Sequence, residues 1–144
     1  MNLLHEIKDV RHGAVLREKM RIAGEAVGGD RIIEVRNPFS GKLVGTVPKA
    51  SVDDVRRAFA VARAFRPTLT RYERSRILQR AAELLREQAD SISDLITAES
   101  GLCKKDTGYE VGRACDVLVF AGNAALQDDG QIFSCDLTDR KSVV

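Results

Sequence analysis

The sequence is poor in aromatic residues. Its 144 residues contain no tryptophan, two tyrosines and five phenylalanines. A hydrophobic core must therefore be built mainly from aliphatic side chains and alanine, which suits closely packed helices. The chain is long enough for one domain with a core of its own.

The sequence also lacks an excess of charge of one sign and any long hydrophobic run. Its 23 basic and 21 acidic residues leave a net charge of +2, and the two kinds are interspersed. Nucleic acid and anionic membranes usually bind a basic face, so neither partner is predicted. No run approaches the roughly 20 apolar residues of a membrane span, and the first 19 residues lack the apolar block of a secretory signal.

Cysteine is scarce. Cys103, Cys115 and Cys135 are an odd number without the spacing of a metal site or a disulfide framework. Such usage is typical of a reducing cytoplasm, where we expect the protein to be located. A cysteine nucleophile needs a base, and the only two histidines are His5 and His12, far from Cys103 in the sequence. We therefore interpret all three cysteines as non-catalytic.

Strand patterns dominate the first third of the chain. We interpret residues 1–20 as a polar N-terminal arm. Residues 22–27 and 32–35 have strand character, and Gly-Gly-Asp at 28–30 predicts a hairpin turn between them. A third strand is predicted at residues 43–47.

The segment between the second and third strands reads Asn-Pro-Phe-Ser-Gly, residues 37–41. Asn37 can hydrogen-bond the backbone two residues later, Pro38 fixes φ, and Gly41 tolerates a left-handed conformation. The sequence therefore predicts a tight turn here.

Helical patterns follow from residue 51 onward. A capping box, in which Ser or Thr is followed three residues later by an acidic residue, predicts a helix start at three places: Ser51 with Asp54, Thr70 with Glu73, and Thr107 with Glu110. The apolar stripe after Thr70 continues to Ile96, which fits one bent helix or two in series, and Gly101 is a typical helix-ending residue. Alternation predicts a final strand at residues 130–138.

The fold class predicted from these patterns is α/β, with a small antiparallel sheet, then long packed helices, then one strand. This order resembles the N-terminal part of the aldehyde dehydrogenase superfamily. The motifs that carry the resemblance are residues 22–25 (Ile-Ala-Gly-Glu), 37–41, 44–47 (Val-Gly-Thr-Val), 51–55 (Ser-Val-Asp-Asp-Val), 73–78 (Glu-Arg-Ser-Arg-Ile-Leu), 99–101 (Glu-Ser-Gly) and 110–111 (Glu-Val). Within the superfamily, residues 69–74, 109–114 and 129–138 are most similar to phosphonoacetaldehyde dehydrogenases.

The resemblance implies a chemistry that this sequence does not itself contain. In the superfamily, a cysteine attacks the aldehyde, hydride passes to NAD or NADP, and a glutamate activates the water that releases the acid. The sequence has neither a Phe-x-x-Gly-Gln-x-Cys stretch nor a glycine-rich phosphate loop of the Rossmann type. We therefore expect an N-terminal fragment that is inactive and binds no cofactor alone.

The resemblance also implies a domain division. Residues 21–129 would form an incomplete N-terminal part of the cofactor-binding domain, and residues 130–138 would enter the oligomerisation element of a homo-oligomer. Residues 139–144 (Asp-Arg-Lys-Ser-Val-Val) break the resemblance and match one reading frame of a common sequencing adapter, so we expect a non-native tail.

Two candidate sites follow from the resemblance. Arg113 lies on a helix that flanks the substrate entrance in the family, where a guanidinium could hold a phosphonate or carboxylate. The alternative is a surface arginine paired with Glu110 or Asp116. Glu99 and the backbone carbonyls of Val35 and Arg36 are candidates for a monovalent-cation site. The alternative is a helix-end glutamate in water or bonded to nearby backbone.

A different class of function stays open. A self-contained helical interaction or regulatory module could carry the same patterns without enzymatic activity. It predicts an independently stable domain, whereas a fragment of an enzyme predicts helix faces left uncovered.

Overall fold

The computed structural model describes residues 13–127 and Gly130. Within these residues the chain forms five short strands and four helices, which confirms the α/β class. The strands are β1 (Leu16–Arg17), β2 (Met20–Ile22), β3 (Glu25–Val27), β4 (Ile32–Arg36) and β5 (Leu43–Pro48). The helices are α1 (Val52–Ala64), α2 (Arg71–Glu87), α3 (Ala89–Ser100) and α4 (Lys104–Ala124).

The larger sheet has three strands in the order β1-β5-β4. Strands β4 and β5 are antiparallel, with Ile33 opposite Val47, but β1 runs parallel to β5, with Leu16 opposite Gly45. The sheet is therefore mixed rather than purely antiparallel. A Cβ atom at residue 45 would lie 3.0 Å from the carbonyl oxygen of Leu16, so glycine permits the close approach of β1.

The segment interpreted as a polar arm contributes to this architecture. Strand β1 and the first residue of β2 both fall within residues 1–20, and Leu16 is buried. A two-residue strand carries too little periodicity to be recognised in the sequence, and its position is set by the long-range pairing with β5. Residues 1–12 lie outside the described part of the chain.

The hairpin was predicted in the wrong place. It is formed by β2 and β3, which pair antiparallel with Ile22 opposite Glu25, as a separate two-stranded sheet. Its turn consists of Ala23 at φ 55° and Gly24 at φ 82°, the positive angles that a tight two-residue turn requires. The predicted turn at residues 28–30 instead links this hairpin to β4 in the other sheet.

The turn at residues 37–41 has the predicted form. The Asn37 Oδ1 atom accepts hydrogen bonds from the backbone N–H groups of Phe39 (3.2 Å) and Ser40 (2.8 Å). Gly41 has φ 69°, and its N–H donates to the Asn37 carbonyl at 2.9 Å. The Asn37 side chain therefore substitutes for the backbone partners that the turn lacks.

Two of the three predicted helix starts are confirmed. Ser51 caps α1 and Thr70 caps α2, each in a complete capping box. In the second box, Thr70 Oγ1 accepts from the Glu73 N–H at 3.2 Å, while a Glu73 carboxylate oxygen accepts from the Thr70 N–H at 2.8 Å. These bonds favour the ionised carboxylate, so the backbone hydrogen bond from Thr70 lowers the pKa of Glu73, and the side-chain bond from Ser51 lowers that of Asp54.

The long apolar stripe forms two helices in series. Gln88, with φ −118° and ψ 12°, separates α2 from α3. Gly101 ends α3 in the left-handed conformation, with φ 76°, as predicted. Of the strand predicted at residues 130–138, only Gly130 is described, and residues 139–144 lie outside the described part of the chain.

The third predicted helix start, at Thr107, is wrong. Helix α4 begins at Lys104, with Cys103 in the capping position and no side-chain cap. Thr107 lies inside the first turn and is fully buried. Its hydroxyl lies 2.8 Å from Ser93 Oγ and 3.0 Å from Thr97 Oγ1, so tertiary partners on α3 replace the capping role.

The helical core consists of small and aliphatic side chains. Helix α4 buries Val111, Cys115 and Gly122. A Cβ atom at Gly122 would contact the Ser75 carbonyl oxygen of α2 at 3.5 Å, which shows how closely the two helices approach. Ala82 of α2 is also buried. In contrast, α1 has no buried residue.

Candidate functional site

The Asn-Pro turn is fixed to the end of α3. The Asn37 Nδ2 atom donates to the Ala98 carbonyl oxygen at 2.8 Å. A Cβ atom at Gly101 would lie 2.8 Å from Pro38 Cγ, so the turn and the helix end touch directly. The strand that precedes the turn and the segment around residue 99 therefore lie side by side.

The three residues predicted for a cation site lie on the two segments that this hydrogen bond joins. Glu99 is exposed and Val35 is half-buried. The Arg36 guanidinium is held by Glu34, with the shortest N–O distance 2.6 Å, and donates to the Gly41 carbonyl at 3.1 Å. Among residues 13–127, no group of three or more His, Cys, Asp or Glu side chains could hold a metal ion. A site formed by backbone carbonyls and the Glu99 carboxylate stays a prediction.

Arg113 lies on the outward face of α4. Its side chain is 61% exposed, and Nη1 lies 3.4 Å from Glu110 Oε1. The guanidinium carbon also lies 6.0 Å from the centre of the Tyr109 ring. An exposed ion pair of this length contributes little to stability, so Glu110 does not prevent the guanidinium from binding another anion.

Arg113 belongs to a second stripe on α4 that the sequence analysis did not recognise. Tyr109, Arg113, Val117 and Phe120 follow one another at intervals of four, four and three residues, and all four are exposed. Their helical spacing is the signal present in the sequence, but the buried stripe of the same helix shows the same period. We call these four residues the outer stripe of α4. Its combination of apolar surface and one guanidinium suits a ligand with a hydrocarbon part and an anionic end.

The described residues contain no assembled nucleophile and base. Cys103 is exposed at the start of α4, and Cys115 is buried in the core; both are free thiols. Neither has a histidine near it within residues 13–127, since both histidines precede residue 13. Across that same range, no helix has the length and apolar character needed to cross a membrane.

The sequence was compared with models of known protein families. The model of the aldehyde dehydrogenase family matches residues 25–144. This chain belongs to the aldehyde dehydrogenase family. The resemblance that rests on the Asn-Pro turn and the helix starts is thereby confirmed at the level of the family.

Semialdehyde dehydrogenases are among the curated relatives of this aldehyde dehydrogenase chain. A malonate-semialdehyde dehydrogenase of Bacillus cytotoxicus is 35% identical over 115 residues, covering 76% of this chain and 24% of that protein. A glutarate-semialdehyde dehydrogenase of Pseudomonas putida is 30% identical over 144 residues, covering 96% of this chain and 29% of that protein. The chain thus spans less than a third of the length of either relative. These relatives do not support the finer assignment to phosphonoacetaldehyde dehydrogenases.

Solved structures give the same fold. An NAD-dependent aldehyde dehydrogenase from Sinorhizobium meliloti matches with a TM-score of 0.69 and 31% identity, over 74% of this chain and 23% of that one. A 1-pyrroline-5-carboxylate dehydrogenase from Thermus thermophilus matches with a TM-score of 0.79 and 22% identity, over 90% of this chain and 27% of that one. The described elements therefore form the N-terminal part of the aldehyde dehydrogenase fold.

Proposed function

We propose that this chain is the N-terminal part of an enzyme that oxidises an aldehyde to the corresponding acid with NAD or NADP. The observation that carries this proposal is the family match over residues 25–144. The chain has no glycine-rich phosphate loop, so its residues do not fit a dinucleotide site. The dinucleotide, the nucleophile and the base would be held by other parts of the complete protein.

We further propose that the substrate is an aldehyde with an anionic group at its other end. The names of the two curated relatives, malonate-semialdehyde and glutarate-semialdehyde dehydrogenase, denote such substrates. Phosphonoacetaldehyde has the same general form, with a phosphonate in place of the carboxylate. The shared feature is a negative charge separated from the aldehyde by a short hydrocarbon segment.

The role of Arg113 in this proposal is to bind that anion. A guanidinium offers two parallel N–H donors, which match the two oxygens of a carboxylate or phosphonate. Val117 and Phe120, one and two turns further along the outer stripe, would contact the hydrocarbon segment. Glu110 would lose its long 3.4 Å contact when the substrate binds, at little cost.

Substitution of Arg113 in the complete protein tests this role. Arg113→Ala should lower kcat/KM for malonate semialdehyde or phosphonoacetaldehyde roughly 10- to 100-fold, because a hydrogen-bonded ion pair is lost. An uncharged aldehyde of similar length, such as propanal, should be oxidised at nearly the same kcat/KM by both proteins. An equal loss for charged and uncharged aldehydes would show that Arg113 has only a structural role.

The cation site is a second part of the proposal. The Glu99 carboxylate and the carbonyl oxygens of Val35 and Arg36 would together supply the oxygen ligands that such an ion prefers. Support comes from the hydrogen bond between Asn37 and Ala98, which holds their two segments together. The complete protein should gain thermal stability when sodium or potassium replaces a bulky organic cation, and Glu99→Gln should reduce this gain.

For the 144-residue chain alone we propose no activity and low stability. Helix α1 exposes Val52, Val55 and Phe59, an apolar face of the kind that packs against a neighbour. The chain should bind the dye ANS and form no NAD(P)H with any aldehyde. A compact monomer that does not bind the dye would favour the self-contained interaction module instead.

The remaining parts of the proposal concern the complete protein in the cell. We propose a cytoplasmic homo-oligomer, in which residues 130–138 enter the oligomerisation element. Cys103 and Cys115, the two cysteines among residues 13–127, are free thiols, which fits a reducing compartment. Sedimentation velocity of the complete protein tests the oligomeric state, and a monomer would contradict it.

A further inference from the structure

Helix α4 is anchored to the core on both sides of Tyr109. Thr107 is fully buried, and its hydroxyl contacts the Ser93 and Thr97 hydroxyls of α3. Val111, one turn later, is only 3% exposed. Tyr109 lies between these two buried positions but on the opposite side of the helix, and it is 68% exposed. The backbone beneath the Tyr109 ring is therefore held in place by the core.

The Arg113 side chain extends back over this ring. A helical side chain leans toward the N-terminal end of its helix, so residue 113 covers the turn that residue 109 occupies. The guanidinium carbon of Arg113 lies over the Tyr109 ring, 6.0 Å from its centre. The face of an aromatic ring carries partial negative charge and attracts a cation. Both residues belong to one helix, so this contact requires no other part of the complete protein.

The ring restrains the guanidinium without using its hydrogen-bond donors. A ring face attracts the charge but takes up no lone-pair acceptor position, so the N–H groups stay available to a carboxylate. Glu110 differs, because its Oε1 atom lies 3.4 Å from Nη1 and competes for that donor. This distance is longer than the roughly 2.7–2.9 Å of a strong charge-assisted hydrogen bond. When an anion binds Nη1, the contact with Glu110 is lost and the contact with Tyr109 is retained.

We propose that Tyr109 is a positioning residue for the anionic end of the substrate and acts through Arg113. A tyrosine ring turns about only two bonds, so it forms a rigid platform for the longer and more mobile arginine side chain. The platform reduces the conformational entropy that Arg113 loses when it binds an anion. Tyr109 itself makes no bond to the substrate. This inference rests on the proposed function, in which Arg113 binds the anion.

Removal of the ring should weaken the binding of charged substrates only. A cation–π contact at an exposed site corresponds to roughly a two- to fivefold change in a dissociation constant. In the complete protein, Tyr109→Leu should therefore raise KM for malonate semialdehyde roughly two- to fivefold. The value of kcat should change little, because the reacting aldehyde lies at the other end of the substrate. Propanal has no anionic end, and its KM should stay the same.

Two further variants separate the ring from its hydroxyl and from general effects of the substitution. Tyr109→Phe keeps the ring face, so its KM for malonate semialdehyde should equal that of the unsubstituted protein. Tyr72→Leu is the matched control, because Tyr72 lies on α2 and is 66% exposed, close to the value for Tyr109. This control should leave KM unchanged for both aldehydes.

A double substitution tests whether Tyr109 acts through Arg113. In a protein that already carries Arg113→Ala, the additional change Tyr109→Leu should have no further effect on KM for malonate semialdehyde, because the ring then has no guanidinium to position. A further increase of the same size in the Arg113→Ala background would show that Tyr109 acts independently. That result would overturn the proposal.

Other outcomes would overturn the proposal in distinct ways. Equal increases in KM for malonate semialdehyde and propanal would give Tyr109 only a structural role. An increase in Tyr109→Phe as large as that in Tyr109→Leu would assign the effect to the hydroxyl, as a direct bond to the anion. An increase in Glu110→Gln without one in Tyr109→Leu would show that Glu110 positions the guanidinium.

The failure of this inference is distinguishable from the failure of the proposed function. If Arg113→Ala impairs only the charged aldehyde while Tyr109→Leu changes nothing, the anion-binding role of Arg113 stands and the role of Tyr109 is refuted. If Arg113→Ala impairs both aldehydes equally, the proposed role of Arg113 is refuted, and the positioning role of Tyr109 is refuted with it.

Discussion

The side-chain amide of Asn37 donates a hydrogen bond to the backbone carbonyl oxygen of Ala98, 2.8 Å away. The carbonyl oxygen of the same side chain accepts from the backbone N–H groups of Phe39 and Ser40. One residue therefore closes the turn after β4 and attaches that turn to the last part of α3. The two segments proposed to form the cation site are held together by this bond.

Asn37→Asp should separate these two functions. An aspartate can still accept from Phe39 and Ser40, but it cannot donate to the Ala98 carbonyl and sets a negative charge beside it. The free energy of unfolding should fall by about 1–3 kcal/mol, as expected for a partly buried polar group left without its partner. Urea unfolding measures this change. Ser40→Ala removes an exposed hydroxyl that donates to Asn37 Oδ1 at 3.0 Å but leaves the bond to Ala98 intact, so it should cost less, about 0.5–1 kcal/mol.

Gly101→Ala should be costly for two reasons. Residue 101 has φ 76°, where a side chain costs about 1–2 kcal/mol, and the new Cβ would lie 2.8 Å from Pro38 Cγ. We expect the free energy of unfolding to fall by about 2 kcal/mol or more. Gly112→Ala is the matched control, because it lies within α4 and its Cβ would meet no atom within 4 Å.

The control should behave in the opposite way. Alanine in an unobstructed helical position favours the helix by up to about 1 kcal/mol relative to glycine, so Gly112→Ala should be neutral or stabilising. Similar losses for both substitutions would show that neither the positive φ nor the contact with Pro38 determines the effect at residue 101.

Thr107→Val should destabilise the contact between α3 and α4. Valine has nearly the shape of threonine, but it leaves the Ser93 and Thr97 hydroxyls without their shared partner. The expected loss is about 1–3 kcal/mol in the free energy of unfolding. Thr107→Ser keeps the hydroxyl and removes one methyl group, so its loss should be nearer to 1 kcal/mol. A valine variant as stable as the serine variant would contradict a contribution from the hydroxyl cluster.

The capping box at the start of α2 should make stability depend on pH. Its hydrogen bonds lower the pKa of Glu73 below the usual value of 4.5 in the folded chain. The unfolded chain therefore binds more protons in this range, so the contribution of Glu73 is present above pH 4.5 and is lost as the pH falls through the lowered pKa. Glu73→Gln retains a hydrogen-bond acceptor but does not titrate. The stability of the unsubstituted chain relative to this variant should decline below that pH, as measured by urea unfolding.

The features predicted correctly from the sequence are those that depend on neighbours in the chain. The capping boxes at Ser51 and Thr70 and the turn closed by Asn37 each involve residues no more than four positions apart. Steric and hydrogen-bonding preferences at this range are already present in a short peptide. The left-handed conformation of Gly101 belongs to the same class.

The features that were missed depend on contacts between distant segments. Thr107 has the sequence signature of a helix cap, but partners on α3 bind its hydroxyl, and α4 begins three residues earlier. Strand β1 exists because Gly45 lets it approach β5. The turn at Ala23 and Gly24 lacks the Asn-Gly or Asp-Gly signal of such hairpins, so the sequence favours a turn at the Gly-Gly pair further along.

The site residues Arg113 and Glu99 are predicted from short motifs, and their roles stay predictions. The outer stripe of α4 cannot be told from the buried stripe by sequence, since periodicity alone does not say which of two faces is covered.

Helix α1 should be readily attacked by proteases. A 13-residue helix with no buried residue has little beyond its own capping box and ion pairs to hold it, and peptides of that length are only marginally helical in water. Its backbone should therefore open far more often than that of α4. Trypsin should therefore first cut the peptide bonds that follow Arg56, Arg57 and Arg63. This early step would separate the strands from the three helices α2, α3 and α4.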